Sequence, residues 1–145
     1  MSTLTPLINK SDLMQQQLSF SSKVENINLI EKLIDDICLQ HKVNEDYYGN
    51  ILIAMTESVN NAMHHGNKSN PLKNVVVNYE ISDSQLTFEV ADEGAGFEFD
   101  SLPDPTDPKN IEKPHGRGVF LMKNLSDHIE FSEGGSTVKM IFNIA

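Results

Sequence analysis

Hydrophobic positions recur at two spacings along the chain, and they switch from one to the other in blocks. Residues Met14 to Phe20 alternate, with Met14, Leu18 and Phe20 on one side and Gln15, Gln17 and Ser19 on the other, which predicts a half-buried or edge strand. From Val24 to about His41 the period lengthens. Ile27, Ile30, Leu33, Ile34, Ile37 and Cys38 fall at helical spacing and predict a core-packing helix. Ser21 or Ser22 can cap it, and Glu25 stands in capping-box spacing from Ser22. Asn44 caps a second helix, with Glu45 and Asp46 at its positive end, and Gly66 is a natural stop.

Alternation then returns. Val75 to Ile81 and Leu86 to Ala91 predict a hairpin turning at Ser82 to Ser84. Neither period survives from Glu98 to Pro114, where Pro103, Pro105, Pro108 and Pro114 cluster, and a segment that long is functional or disordered. Val119, Phe120, Leu121, Met122 and Leu125 predict a third helix. Ile129 to Phe131 and Thr137 to Ile144 predict a last hairpin turning at Glu133-Gly134-Gly135. Five strands with one apolar face, and about three helices to cover it, make an α+β two-layer sandwich in one domain spanning residues 1–145.

The second helix carries more than an apolar stripe. Tyr48, Ile51, Leu52, Met55, Val59 and Ala62 lie within one arc of roughly 100°. Glu57, Asn61 and His65, at steps of four, lie together on the opposite half. Alone, that polar stripe reads first as a solvated face. Asp92 ends a strand and is followed by Gly94 and Gly96. A carboxylate there can accept from an exocyclic amino group, and glycines let a ring or phosphate approach the backbone, although the same residues make an ordinary glycine-rich turn. Gly116-Arg117-Gly118 at a helix start offers N–H groups and positive dipole to an anion. The Glu-Gly-Gly stretch near Gly134 reads as only a turn.

Composition narrows the classes. The net charge of −10 argues against non-specific binding to nucleic acid or to an anionic membrane. The basic cluster from Lys109 to Arg117 stands against that background, and Arg117 is the only arginine in the chain. One cysteine, Cys38, excludes an internal disulfide and points to a reducing cytoplasm. No apolar run reaches the roughly 20 residues of a membrane span, Met1 to Ser11 lacks signal-peptide blocks, and no Cys/His cluster suits structural zinc.

The order of the pieces is more specific than any one of them. A polar helix face, Asp-x-Gly-x-Gly after a strand, a proline-rich lid and Gly-Arg-Gly opening a helix together resemble the Bergerat-type (GHKL) ATP-binding domain of gyrase, heat-shock chaperones, histidine kinases and mismatch-repair ATPases. Glu57 to Gly66 matches the N-box, and Asp92 to Gly96 and Gly116 to Gly118 match the two glycine boxes. Glu-x-x-x-Asn-Ala-x-x-His-Gly is most similar to the small anti-sigma-factor serine kinases. The resemblance covers roughly residues 14–144. It implies a mixed, mostly antiparallel sheet with an ATP lid at about 98–114.

The resemblance also implies roles. Asn61 would coordinate Mg²⁺, and Glu57 would be the general base. Asp92 would bind the adenine amino group, with Gly94 and Gly96 admitting the ring. Gly116 and Gly118 would sit over the phosphates and Arg117 would add positive charge there. His65 matches the end of the N-box and also reads as a helix-capping residue. Two positions depart from the pattern, Asn60 where threonine is expected and Ser58 where alanine is usual, while the short lid fits the anti-sigma group better than the chaperones.

The function implied is an ATP-dependent protein-serine kinase and anti-sigma factor. Its partners would be an antagonist protein with a phosphorylatable serine, a sigma factor, and a second copy of the chain, for which the Met14–Phe20 edge is one candidate. A second function is a binding module in which nucleotide only orders the lid. A third, a detached histidine-kinase catalytic domain, needs a dimerising helix pair that the dozen residues ahead of the domain cannot supply.

Overall fold

A computed structural model describes residues 15–95 and 114–145. Gly96 and the expected lid at about 98–114, apart from Pro114, lie outside the described residues. The elements run β1 (Gln15–Ser21), a 3₁₀ turn (Val24–Asn26), α1 (Ile27–Gln40), α2 (Glu45–Asn61), a π turn (Ala62–Gly66), β2 (Asn74–Ile81) and β3 (Gln85–Ala91). Then come α3 (Pro114–Leu125), β4 (His128–Ser132), a 3₁₀ turn (Glu133–Gly135) and β5 (Thr137–Asn143). The five strands form one sheet in the order β1-β2-β3-β5-β4, and every pairing is antiparallel. The α+β sandwich expected from the pattern is therefore present, with β1 at one edge.

The alternation in each strand decides which face meets the helices. Val75, Val77, Leu86, Phe88, Met140 and Phe142 point into the helical layer and are buried. The opposite face sets Gln17, Asn78, Glu89 and Lys139 side by side across four strands. This half-wet arrangement is what antiparallel sheets allow. Phe88, on the central strand, packs 6.0 Å from Tyr79 and edge-on to Phe142 at 6.3 Å, the geometry the ring quadrupoles favour. From the helices, Ile30, Ile34, Ile37, Ile51, Met55, Val59, Val119 and Met122 close the core. Each such side chain contributes roughly 1.5–3 kcal/mol of burial.

Helix starts are partly as expected. Asn44 Oδ1 accepts from the Asp46 N–H at 2.9 Å and caps α2. The expected box at Ser22 and Glu25 does not form: α1 begins after a 3₁₀ turn, with no side-chain cap. The Ser22 hydroxyl is already committed elsewhere, donating to the Lys73 carbonyl at 2.8 Å. At α3 the helix begins at Pro114, a residue suited to a first helical position. Gly116, Arg117 and Gly118 therefore lie inside the first turns of the helix.

Candidate nucleotide site

The polar stripe of α2 is not a solvated face. Glu57, Asn61 and His65 are all half-buried, and α3 packs over the first two. A Cβ built on Gly118 would stand 3.1 Å from Glu57 Oε2 and 3.4 Å from both Oδ1 and Nδ2 of Asn61. A Cβ at 118 would crowd the Glu57 carboxylate and touch the Asn61 carboxamide. Gly118 thus brings the first turns of α3, with their positive dipole end, onto the carboxylate and carboxamide. Gly116 belongs to that same stretch, and Arg117 is exposed on it. Glu57 sits under Gly118, beside the cleft described next and not on its wall.

The cleft, of about 200 Å³, opens between the end of α2 and the sheet. Val90, Met122, Phe131 and Val138 give it apolar walls, and Ser58, Asn61, His65, Asp92 and Ser136 give it polar points. The last turn of the helix is wound wider than α, with the Asn67 N–H reaching back five residues to the Ala62 carbonyl at 2.8 Å. Such turns gather at functional sites. His65 lies in this turn, and burial, followed by the charges of His64 and Lys68, holds its imidazole below the usual range and favours the neutral form. Lys68, which the motif reading passes over, also lines the cleft.

Asp92 leaves β3 into a tight approach between two backbones. A Cβ on Gly66 would overlap the Asp92 carboxyl, and one on Gly94 would overlap the Gly66 carbonyl. Both glycines are needed for closeness, since neither shows a positive φ. The Asp92 Oδ1 accepts from the Gly94 N–H at 2.8 Å, and the Asp92 N–H donates to the Ser136 carbonyl at 2.9 Å. Burial pushes the Asp92 carboxyl up, opposed by the Gly94 hydrogen bond and by the charge of Lys73.

A raised folded-state pKa means that, as pH rises from 3.8, the unfolded chain loses this proton first. Stability is lost across that window and the loss is complete above both values. Asp92→Asn removes the titration. The melting temperature of the mutant minus that of the wild type, without nucleotide, is expected to climb as pH rises from the ordinary carboxylate range toward neutrality. A pH-independent difference in thermal melts would overturn this.

The Glu133-Gly134-Gly135 stretch is a turn, as expected, but it also builds the cleft. Three successive residues, at φ 52°, 66° and 102°, adopt left-handed backbone, and Gly135 and Ser136 reach the wall. The signal for this was register. Ala91 pairs with Thr137, so whatever precedes Thr137 must stand beside whatever follows Ala91.

Asn67 is the residue that motif reading missed. It is fully buried, and its Nδ2 donates to Ser22 Oγ at 2.9 Å and to the Asn74 carbonyl at 3.0 Å. Its Oδ1 accepts from the Glu93 N–H at 2.7 Å. Glu93 in turn accepts from the Asn74 N–H at 2.5 Å. One carboxamide therefore ties the end of the helix to the starts of two loops and holds Asp92 in place through its neighbour. Asn67→Ala orphans these groups and is expected to cost about 2–3 kcal/mol. That corresponds to a melting temperature lower by about 5–10 °C. A drop under about 2 °C in a thermal melt would show that the network contributes little.

The model of the histidine kinase-like ATPase domain matches residues 20–142, and the chain belongs to that family. It is similar to the serine-protein kinase RsbW of Staphylococcus epidermidis, 26% identical over 133 residues, which span 86% of this chain and 84% of the relative. The serine-protein kinase RsbW of Staphylococcus aureus strain Newman is 24% identical over 140 residues, 91% of this chain and 87% of the relative. The crystal structure of the RsbU and RsbW domains of a Mycobacterium tuberculosis protein superposes with a TM-score of 0.59 at 12% identity, covering 89% of this chain. The present chain spans 31% of that longer one, and the likeness is one of fold. No helix among the described residues is long and apolar enough to cross a membrane.

Proposed function

We propose that this chain is an ATP-dependent protein-serine kinase that also acts as an anti-sigma factor. The observation that carries the reading is the packing of Gly118 on Glu57 and Asn61, beside a cleft that Asn61 and Asp92 both line. A base-sized apolar slot with one carboxylate and a helix start over a carboxylate and carboxamide match the two ends of ATP. The RsbW serine-protein kinases, similar over most of their length, support the same activity.

In this reading Asp92 accepts from the adenine amino group, and Gly66 and Gly94 keep room for the carboxyl that does so. Gly96, in the family pattern, borders the ring. Gly116 and Gly118 bring backbone to the phosphates, and Arg117 adds charge as they pass. His65, neutral at physiological pH, lines the cleft as a hydrogen-bonding wall. The serine hydroxyl of the substrate protein attacks the γ-phosphorus and the bond to the β-bridging oxygen breaks. Glu57 takes the hydroxyl proton.

The residues fit a magnesium ion. Among the described residues no cluster of three His, Cys, Asp or Glu could hold a metal. Magnesium, however, needs few protein ligands when phosphate and water supply the rest. Asn61 Nδ2 is buried without a hydrogen-bond partner, and the metal would take the other end of the carboxamide, its acceptor oxygen. Asn61 would hold Mg²⁺, whose charge would neutralise the phosphates.

The partners that go with this reading are an antagonist protein bearing the acceptor serine, a sigma factor, and a second copy of the chain, in the cytoplasm. The test is transfer of labelled γ-phosphate from ATP to a serine of a candidate antagonist. Appearance of phosphoserine supports the kinase. ATP binding with no phosphoprotein, and with partner affinity differing between ATP and ADP, would replace it by a nucleotide-gated binding module.

A further inference from the structure

Among the described residues, two side-chain polar atoms are buried with no hydrogen-bond partner: Ser58 Oγ and Asn61 Nδ2. They are one turn apart on α2, and both residues line the same cleft. Asn61 has a role in the nucleotide reading. Ser58 has none, and at 1% exposure it is the more deeply buried of the two.

Serine inside a helix ordinarily returns its hydroxyl to the carbonyl four residues back. Ser58 makes no such bond. It shares a helix face with Ala54 and Ala62 at steps of four, and Ala62 lines the cleft with it. Where Ser58 and Ala62 line the cleft, their small side chains leave space for a flat ring to lie against the helix. Ser58 is the one polar residue of that row, and the cleft it lines has Val90, Met122 and Val138 among its walls. A hydroxyl held unpaired in such surroundings is costly unless a bound molecule engages it.

We infer that Ser58 is a base-recognition residue of the ATP site. Its hydroxyl donates to ring nitrogen N1 of adenine, next to the amino group that Asp92 accepts from. This rests on the nucleotide reading above and adds to it. The edge of adenine pairs an amino donor with an adjacent ring acceptor. Asp92, ionised, can only accept, so it serves the first and repels the second. A donor has to come from elsewhere, and Ser58 is the uncommitted hydroxyl buried in the apolar floor. A base with a keto oxygen and a ring N–H along this edge would set its oxygen against the Asp92 carboxylate.

Binding by calorimetry tests this with the full chain, using ATP and the analogue in which N1 is replaced by C–H. Wild type is expected to bind ATP about three- to tenfold more tightly than the analogue. Ser58→Ala is expected to bind ATP more weakly by the same factor and to bind the two nucleotides alike, with a melting temperature no lower than wild type. Equal binding of the two nucleotides by wild type would overturn the assignment without any mutant. So would a Ser58→Ala protein that keeps full ATP affinity or the full preference. Absence of ATP binding by wild type would instead overturn the nucleotide reading itself, and the inference with it.

Discussion

Replacing Glu57 by glutamine is expected to lower phosphoryl transfer by about 10²–10⁴-fold, the range that a positioned general base supplies. ATP affinity should stay within about threefold of wild type. Both parts follow from where Glu57 sits. Its Oε2 lies under Gly118, and Glu57 is not on the wall of the cleft that would receive the base. Glutamine keeps the shape on which Gly118 packs and removes only the ability to take a proton. Single-turnover transfer from labelled ATP, set beside nucleotide binding by calorimetry, separates the two effects. Transfer at the wild-type rate would remove Glu57 from the chemistry. A parallel fall in affinity would assign it to binding.

The reading of the stretch 57–67 changes character between sequence and structure. Spacing alone placed Glu57, Asn61 and His65 on one side of a helix, but it could not separate a wet face from a buried one. That depended on α3, whose contact with α2 is set by the absence of a side chain at Gly118. Regular elements were legible because their causes are local: alternation in β2 and β3, apolar spacing in α1, and a capping carboxamide at Asn44. What was not legible is tertiary in origin. Ser22 has the spacing of a capping box, yet its hydroxyl joins Lys73 and Asn67, distant partners that local spacing does not reveal. The π turn at Ala62–Gly66 likewise leaves no mark on the hydrophobic period. The part played by Gly135 and Ser136 follows only from the register of β3 and β5.

Two glycines that look alike in the sequence are expected to fail in different ways, and this is the sharpest test of how the site is built. At Gly66 an added Cβ meets the Asp92 carboxyl, the end of a side chain that can turn away. Gly66→Ala should therefore fold, with a melting temperature within a few degrees of wild type, but with the carboxyl displaced from its place beside Gly94. ATP affinity should fall by more than about 100-fold, since the base loses its charged acceptor and meets a misplaced one. At Gly94 the added Cβ meets the carbonyl, carbonyl carbon and Cα of Gly66, which are backbone and have nowhere to turn. Gly94→Ala must instead separate the end of the helix from the loop after β3, against the hold of Asn67 on Glu93. Overpacking of that kind costs about 1–3 kcal/mol or more, so the melting temperature should fall by several degrees, at roughly 2–4 °C per kcal/mol. ATP binding should weaken along with it. Thermal melts and calorimetry on both variants decide the matter. If Gly66→Ala bound ATP normally, the Asp92 carboxyl would not be the acceptor. If Gly94→Ala melted with wild type, the two backbones would not be held at this distance.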